Sequence, residues 1–347
     1  MKIALLAVIA LVFAAGCTGL SGVFGGDVLN IKQNLIQQGQ KDIIVVKDVA
    51  TIPKSPMLPD QAFDFSLLVE NVDKAETAKN VVVDLFNAPT VKNQKGDLCN
   101  TASGNGCVQE NNECTETKKC TILPGEQIPI NFLLKTPEKE EIVNIETTPT
   151  LDYRVRYDFR SAALYVMPSV NYDEIRKNQK SSDKIDVQIT KSYGTGPVRV
   201  DMELFGTPYI LSGQPATFIF KITNAGSGNV VGSQIDVNKL RVEFPIDMLD
   251  KDAKLKLPDG ETIDLSDLKT DSKKFSCVTI SSGSRIACSN TNPIQMYKDQ
   301  TRGSLRFEIT KTATLSQPFL SYDIRASVDY TYELRGSKSI TVKPFEG

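Results

Sequence analysis

The sequence contains no histidine and no tryptophan among its 347 residues. Histidine is the commonest general base and a frequent zinc or copper ligand, so its absence excludes the usual forms of acid–base and metal-assisted catalysis. The 40 basic and 42 acidic residues give a net charge of −2, which leaves no overall field to attract nucleic acid. We therefore expect no enzymatic activity, no catalytic or metal-binding residue, no cofactor and no nucleic-acid partner.

The N-terminus differs in composition from the rest of the chain. Lys2 supplies a positive end, residues 3–13 are all Ile, Ala, Leu, Val or Phe, and small residues then lead to Cys17. Such an order is typical of an export signal. The small residues ending in Cys17 resemble the lipobox of bacterial and archaeal lipoproteins, in which the chain is cut before the cysteine and the thiol is lipidated. The resemblance implies a signal peptide over 1–17 and a lipid on Cys17.

Two alternatives to the lipid anchor remain open. Residues 3–26 carry no charge, and this stretch is long enough to cross a bilayer as an uncleaved helix, which needs about 20 residues. Simple secretion after cleavage is the other alternative. All three place the remaining chain outside the membrane. We predict a location on the extracellular face of the cell membrane, with the membrane itself as a partner through the N-terminal lipid or helix.

The seven cysteines are an odd number, which requires an explanation in an exported chain. A lipid on Cys17 leaves six, and thiols pair in the oxidising space outside the cell. Cys277 and Cys288 lie at equal distances from a Ser282-Gly283 turn. Residues so placed face each other across a hairpin, close enough for a disulfide.

The other four cysteines, Cys99, Cys107, Cys114 and Cys120, share one polar segment. Their spacing lacks the Cys-x2–4-Cys knuckle of a zinc site, so two disulfides are expected instead. Three pairings are possible. The nested one, Cys99 with Cys120 and Cys107 with Cys114, suits a single hairpin. This segment is the first candidate for a partner-binding surface, because exposed loops on a rigid scaffold commonly carry function.

Apolar residues alternate with polar ones along most of the chain, and no long helical period occurs. Strand patterns with closely spaced turns recur in two copies, which predicts an all-β protein with two immunoglobulin-like β-sandwiches in tandem. The predicted organisation is a tether over 18–41 with a possible short helix, a first sandwich over 42–168, a linker over 169–184 and a second sandwich over 185–347. The second copy is longer, and an insertion at about 245–291 accounts for the difference.

The first copy contains three motifs: Phe65-x-Leu67-x-Val69-x-Asn71, Ala78-x-Asn80-Val81-x-Val83-x-Leu85 and Leu123-Pro124-Gly125-Glu126. These motifs resemble the CARDB-type immunoglobulin-like domains of prokaryotic surface proteins. The second copy has Asn224-Ala225-Gly226 where the first has Asn71-Val72-Asp73, and it lacks a clear Leu-Pro-Gly-Glu. In this pattern we expect the glycine to adopt positive φ where the strand reverses. The resemblance implies a fold and a cell-surface setting, and it brings no shared catalytic residue.

Together these features predict a membrane-anchored surface protein that binds or adheres through the loops and sheet edges of its sandwiches. The partner would be a protein or a surface polymer. A structural subunit of a surface filament or envelope complex is the alternative, and it would assemble when purified. A surface carbohydrate-active hydrolase is a further alternative, because glycoside hydrolysis needs only two carboxylates at a suitable separation.

Overall fold

The structure is a computed structural model, and it describes residues 29–37, 41–93, 98–99, 110–111, 120–142, 145–181, 185–264, 274–296 and 304–344. Among these residues strands dominate and one α-helix occurs, so the predicted all-β fold class is confirmed. The strands up to the helix are β1 (Leu29–Gln37), β2 (Ile44–Ile52), β3 (Ala62–Asn71), β4 (Ala78–Asn93), β5 (Leu98–Cys99), β6 (Glu110–Asn111), β7 (Cys120–Ile122), β8 (Gln127–Lys135) and β9 (Thr150–Val170).

The helix α1 (Tyr172–Ser181) separates these strands from those of the second half. The strands after it are β10 (Ile185–Tyr193), β11 (Val198–Leu204), β12 (Ile210–Leu211), β13 (Ala216–Asn224), β14 (Asn229–Val230), β15 (Gln234–Ile235), β16 (Leu240–Pro245), β17 (Lys254–Lys256), β18 (Thr262–Asp264), β19 (Phe275–Ile280), β20 (Arg285–Asn290), β21 (Ile294–Gln295), β22 (Leu305–Ile309) and β23 (Phe319–Ser339). Short 3-10 turns occur at Lys139–Glu141, Val231–Ser233, Ile246–Met248 and Ser281–Gly283.

The fold is organised around a long antiparallel pair, β9 and β23. Each strand has 21 residues, and they pair without a break from Val170 opposite Phe319 to Thr150 opposite Ser339. Buried and exposed residues alternate along most of both strands, because successive side chains of a strand point to opposite faces. One face of the pair therefore lies against the core, and the other face is open to solvent.

The first sandwich uses one half of this pair. Strands β2, β3 and β8 form one layer, and β4, the start of β9 and the end of β23 form the other. The ring of Phe65 lies 6.2 Å from Tyr153 across the layers and 6.3 Å from Phe132 within its own layer. Residues after the end of β23 also belong to this sandwich, since Val342 is buried and exchanges backbone hydrogen bonds with Thr147.

The second sandwich uses the other half of the pair. Its first layer has the order β19-β20-β16-β23-β9, and its second has the order β11-β13-β22-β17-β18. Phenylalanine rings fill the space between the layers: Phe244 of β16 lies 5.4 Å from Phe218 and 5.7 Å from Phe307. The sequence assignment gave all of 185–347 to this sandwich. The structure places the second half of β23 in the first sandwich, because β23 pairs with β9 along its whole length.

The segment predicted as an insertion lengthens both layers of the second sandwich. The β17–β18 hairpin pairs with β22 through Leu255 and Ile309. The β19–β20 hairpin pairs with β16 through Cys288 and Val242. Each layer thus gains one hairpin at an edge.

The tether contains a strand where the sequence suggested a short helix. β1 pairs in parallel with β10, beginning with Leu29 opposite Ile185. A segment of this length is marginal as an isolated helix, and β10 supplies partners for its backbone groups. The predicted linker contains α1, a helix of 10 residues.

The two matching turns at Asn71 and Asn224 have the same local structure. In each, the asparagine Oδ1 accepts the backbone N–H two residues later, from Asp73 at 3.1 Å and from Gly226 at 3.2 Å. The expectation of positive φ at Gly226 is wrong, because its φ is not among the positive values. Glycine is required there by a close approach: an added Cβ would lie 2.5 Å from both Pro197 Cβ and the Tyr332 hydroxyl oxygen.

This close approach gives a stability prediction. Gly226→Ala should lower the free energy of unfolding by about 2–3 kcal/mol, because overpacking of a filled site forces its neighbours to shift. Ser227→Ala is the matched control, since Ser227 is exposed and its backbone N–H bond to Asp42 does not need the side chain. Urea unfolding of both variants measures the effect. Equal stability of the two variants would contradict the packing explanation.

The predicted disulfide between Cys277 and Cys288 is present. The two residues are directly opposite in the β19–β20 hairpin, and their sulfur atoms lie 2.01 Å apart. Cys120 is also disulfide-bonded. Cys17, Cys107 and Cys114 lie outside the described residues, so the pairing among Cys99, Cys107, Cys114 and Cys120 and the lipid on Cys17 stay predictions. Within the part of the chain described here, no helix is long and apolar enough to cross a membrane.

Candidate functional site: a trough on the hairpin face

The open face of the β9–β23 pair forms a trough across the middle of the molecule. Its floor consists of three directly opposed pairs: Asp158 with Thr331, Arg160 with Asp329, and Ala162 with Ser327. Two adjoining clefts of about 660 and 450 Å³ occupy this face, and both are lined by Arg160. We call these six floor residues and the two clefts above them the trough.

Charged and polar groups on the trough floor hold one another in fixed positions. Arg160 donates two hydrogen bonds to the Asp329 carboxylate, at 2.6 and 2.7 Å. The carboxylate of Asp158 accepts hydrogen bonds from Asn80 at 2.7 Å and from the Thr331 hydroxyl at 2.6 Å. A fixed array of donors and acceptors favours recognition of a partner, because little side-chain order is lost on binding.

The same two carboxylates bear on the hydrolase alternative. Asp158 and Asp329 are diagonal neighbours on the two strands, and such positions lie about 7–8 Å apart, within the range of glycosidase carboxyl pairs. Each is already held by specific donors, however, and the Asp329 carboxylate accepts hydrogen bonds from two guanidinium nitrogens of Arg160, Nε and Nη2.

Different elements form the walls beside the two strands. Next to β9, the larger cleft is lined by residues 76–80 and the smaller one by Ser192 and Gly194. Next to β23, the walls are the 231–239 segment and the side chains of Arg241 and Glu243. The trough therefore lies in the middle of a sheet between raised borders. A partner would meet side chains there, since the backbone groups of β9 and β23 already pair with each other.

An ion network anchors the open face in the second sandwich. Glu243 accepts a hydrogen bond from Arg241 at 2.8 Å and another from Arg285 at 3.2 Å. Arg285 also donates to Asp323 at 3.0 Å, and Asp323 in turn binds Arg325 at 2.8 Å. Because Arg285 is buried and reaches strands β16 and β23 from β20, this network fixes the border of the trough.

A second ion network lies on the same face in the first sandwich. Asp84 is fully buried, and it accepts three hydrogen bonds from Arg154, at 2.8, 2.9 and 2.6 Å. Arg156 approaches the same carboxylate at 3.5 Å. Glu333 lies opposite Arg156 and binds Arg335 at 2.6 Å. Charged groups thus tie β4, β9 and β23 together beside the trough.

Below the trough, the core at the junction of the two sandwiches is a cluster of aromatic rings. Tyr332 lies 5.8 Å from Tyr157 and 6.2 Å from Tyr330, and its hydroxyl donates to Asn224 at 2.9 Å. Burial raises the pKa of Tyr332 to about 12, and the nearby Asp42 carboxylate adds to this shift. Burial also raises the pKa of Tyr157 and of Tyr330. Between the two sandwiches, Ser227 N–H donates to Asp42 at 3.1 Å.

These raised pKa values predict a loss of stability at high pH. The unfolded chain releases tyrosine protons near pH 10, whereas folded Tyr332 and Tyr193 hold theirs to about pH 12. Their contribution to stability is therefore complete below pH 10 and falls as the pH rises from about 10 to about 12. Thermal unfolding across this range, followed with tyrosinate absorbance, measures the effect. Ionisation of all the tyrosines near pH 10 without unfolding would contradict it.

The structure brings together residues that the sequence analysis did not select. The residues that the sequence analysis selected were cysteines, and Cys277 and Cys288 form a buried disulfide in β19–β20, away from the trough floor. The trough residues had a signal in the sequence: Arg154, Arg156, Asp158 and Arg160 occupy alternate positions between apolar residues. That pattern marks an outward, charged strand face, but it does not show which strand lies opposite. Among the described residues, no group of three Cys, Asp or Glu side chains lies close enough to hold a metal ion.

No family model matches the chain, and no curated protein matches it. Among solved structures it is similar to the C-terminal domain of the Streptococcus agalactiae AgI/II polypeptide BspA, at 12% identity over 84% of this chain and 95% of that one, with a TM-score of 0.21. It is also similar to the C-terminal domain of the Streptococcus pyogenes antigen I/II-family protein AspA (11% identity, 84% and 94% covered, TM-score 0.18) and to BcpA, the major pilin subunit of Bacillus cereus (9%, 77% and 65%, TM-score 0.18).

Proposed function

We propose that this chain is exported, held at the outer face of the cell membrane by its N-terminus, and binds a partner through the trough. The disulfide between Cys277 and Cys288 supports export, because disulfides persist mainly outside the reducing cytosol. The export signal, the lipobox-like end at Cys17 and the CARDB-like motifs support the surface setting. The proposal includes no enzymatic activity, since both trough carboxylates are held by fixed donors.

The observation that carries the binding role is the trough itself. The paired strands β9 and β23 present three groups side by side between the walls of the trough. These are the Asp158 carboxylate, the Arg160–Asp329 ion pair, and the small side chains of Ala162 and Ser327. We propose that its ligand is an extended, polar segment of another surface protein, whose charged side chains exchange with the Arg160–Asp329 pair. A sugar polymer fits less well, because the aromatic rings that line the trough, Phe159 and Tyr330, are each only 7% exposed and offer no face for stacking.

The anchoring part of the proposal is tested by the intact mass of protein extracted from native membranes. The expected mass lacks the first 16 residues, carries a lipid adduct, and corresponds to three disulfides, and Cys17→Ser removes the adduct. Recovery of full-length protein with free thiols from the cytosol would contradict export.

The binding part is tested with a photo-crosslinking residue at Ala162, on the trough floor. Val278 is the matched control position, because it is 50% exposed but belongs to the distant strand β19. We expect a discrete adduct from position 162 that disappears when Arg160→Ala is added, and none from position 278. Equal yields of adduct from both positions would contradict a role of the trough in binding. So would an adduct from position 162 whose yield is unchanged by Arg160→Ala.

The filament alternative differs in the behaviour of purified protein. A surface-binding protein remains monomeric in sedimentation, whereas a filament subunit assembles. If purified chains assemble and Arg160→Ala prevents assembly, the partner in the trough is a second copy of this chain.

A further inference from the structure

Three exposed aromatic side chains lie at the same end of the molecule. Among the side chains that the structure describes, Tyr172, Phe205 and Phe319 are the exposed aromatics, at 54%, 65% and 48%. The other described tyrosines and phenylalanines are buried or half-buried. A concentration of exposed rings at one place indicates a surface with a partner, since rings are costly to leave in water.

The strand pairing places all three rings at the outer end of the second sandwich. Phe319 is opposite Val170, at the last pair of the long β9–β23 ladder. Tyr172 is the first residue of α1, directly after β9. Phe205 follows the end of β11, and the next strand, β12, pairs with the last residues of β9.

The N-terminal strand starts at this same end. β10 follows α1 and runs back along β9, from Thr190 opposite Val166 to Tyr193 opposite Ala163. β1 is parallel to β10, and its first residue, Leu29, is opposite Ile185, the first residue of β10. The 28 residues that precede Leu29 in the sequence, with their uncharged stretch, therefore join the molecule at the end that carries the exposed rings.

We propose that this end rests on the membrane that holds the N-terminus, with Tyr172, Phe205 and Phe319 seated among the lipid headgroups. This inference rests on the proposed function. Tyrosine favours the membrane–water interface because its ring is apolar and its hydroxyl is polar, and phenylalanine at a membrane surface buries its ring at the boundary of headgroups and acyl chains. An arginine guanidinium lies over two of the rings. The guanidinium carbon of Arg306 is 5.5 Å from the centre of the Phe205 ring, and that of Arg176 is 6.0 Å from the centre of the Tyr172 ring. These cations would meet lipid phosphates at the same depth.

This orientation reverses the order expected from the sequence. The second sandwich becomes the one nearest the membrane, and the first sandwich projects away from it. A 21-residue strand rises roughly 3.3 Å per residue, so the trough near the middle of β9 stands on the order of 30 Å above the lipid. There it is accessible to a partner on the same or a neighbouring cell surface.

The opposite end of the molecule provides a matched comparison. Its exposed apolar residues are aliphatic: Ile52, Leu58 and Ile145. Ile145 is 66% exposed, close to the 65% of Phe205, and it precedes Thr147, which bonds to Val342 near the end of the described chain. If the proposed orientation holds, Ile145 is far from the membrane.

The absence of tryptophan makes single-tryptophan reporters possible. The test uses the full chain, reconstituted through its own N-terminus into phosphatidylcholine–phosphatidylglycerol vesicles with and without brominated acyl chains. We expect Phe205→Trp and Phe319→Trp each to lose about half of their fluorescence to the bromine, as interfacial rings should, and Ile145→Trp to lose none. Both reporter sites are exposed, so these changes leave the core intact.

The outcomes separate the inference from the proposed function. If the protein floats with the vesicles but Phe205→Trp and Phe319→Trp are quenched no more than Ile145→Trp, the orientation is wrong and the anchoring stands. If the protein does not float with the vesicles, both the anchoring and the orientation are overturned.

Discussion

Truncation of the chain after Asp329 is expected to unfold the first sandwich, although the deleted residues come last in the sequence. The deletion removes Tyr332 and Val342, which are fully buried, and Ile340, which is 1% exposed. Burial of one such side chain contributes about 1.5–3 kcal/mol, so their loss removes on the order of 5 kcal/mol or more, comparable with the whole stability of many domains. It also leaves the first half of β9 without its partner strand.

Hydrogen exchange followed by mass spectrometry measures this effect. In the truncated chain, peptides from β3 and β8 should lose their protection, while β13 and β22 in the second sandwich keep more of theirs. A chain ending at Pro344 is the control, because it retains the backbone bond of Ile340 to Pro149 and the two bonds between Val342 and Thr147. Unchanged protection of β3 and β8 after truncation at Asp329 would show that the first sandwich folds without β23.

The second large effect is expected from Asp84→Ala. Asp84 is fully buried and is the carboxylate shared by Arg154 and Arg156. Its removal leaves two guanidinium groups partly buried without this counter-charge, and breaking a buried ion pair in this way costs about 3–5 kcal/mol. The free energy of unfolding in urea should fall by that amount. The trough should distort as well, because Arg156 lies next to Asp158 on its floor.

Asp329→Ala is the matched control for Asp84→Ala. Asp329 also binds an arginine through two hydrogen bonds on the same face, but its partner Arg160 is 67% exposed. Exposed ion pairs contribute about 0–1 kcal/mol, so this variant should be nearly as stable as the unmodified chain. A similar loss in both variants would show that burial does not distinguish the two pairs.

Local features of the fold could be predicted from the sequence because they depend on local chemistry. Alternation of apolar and polar residues predicted the strands, and equal spacing from the Ser282-Gly283 turn placed Cys277 opposite Cys288. The matching turns at Asn71 and Asn224 were also recognisable. Asp73 replaces glycine in the first copy without penalty, since its carboxylate accepts the N–H groups of Ala75 and Glu76, both at 2.7 Å.

Features that depend on distant partners could not be predicted in this way. The sharing of β23 between the sandwiches follows from its register with β9, which alternation does not specify. The strand β1 could not be predicted from its own residues, because the partner for its backbone hydrogen bonds is β10, which lies far along the sequence. The role of Gly226 depends on Pro197 and Tyr332, which come from other parts of the chain. The trough combines side chains from β9 and β23 and was therefore missed for the same reason.

The shared hairpin has a consequence for a protein held at one end. A partner that pulls on the trough loads β9 and β23 together, and each of these strands has core residues in both sandwiches. The contact of Asp42 with Ser227 adds a direct link between the start of β2 and the Asn224 turn. Binding at the middle of the molecule is thus coupled to the core of both halves.

Differential scanning calorimetry of the full chain tests the central claim, that the two sandwiches form one cooperative unit through β9 and β23. A single transition with equal calorimetric and van't Hoff enthalpies is predicted. Two separate transitions, each shifted alone by a core substitution in its own sandwich, would contradict it.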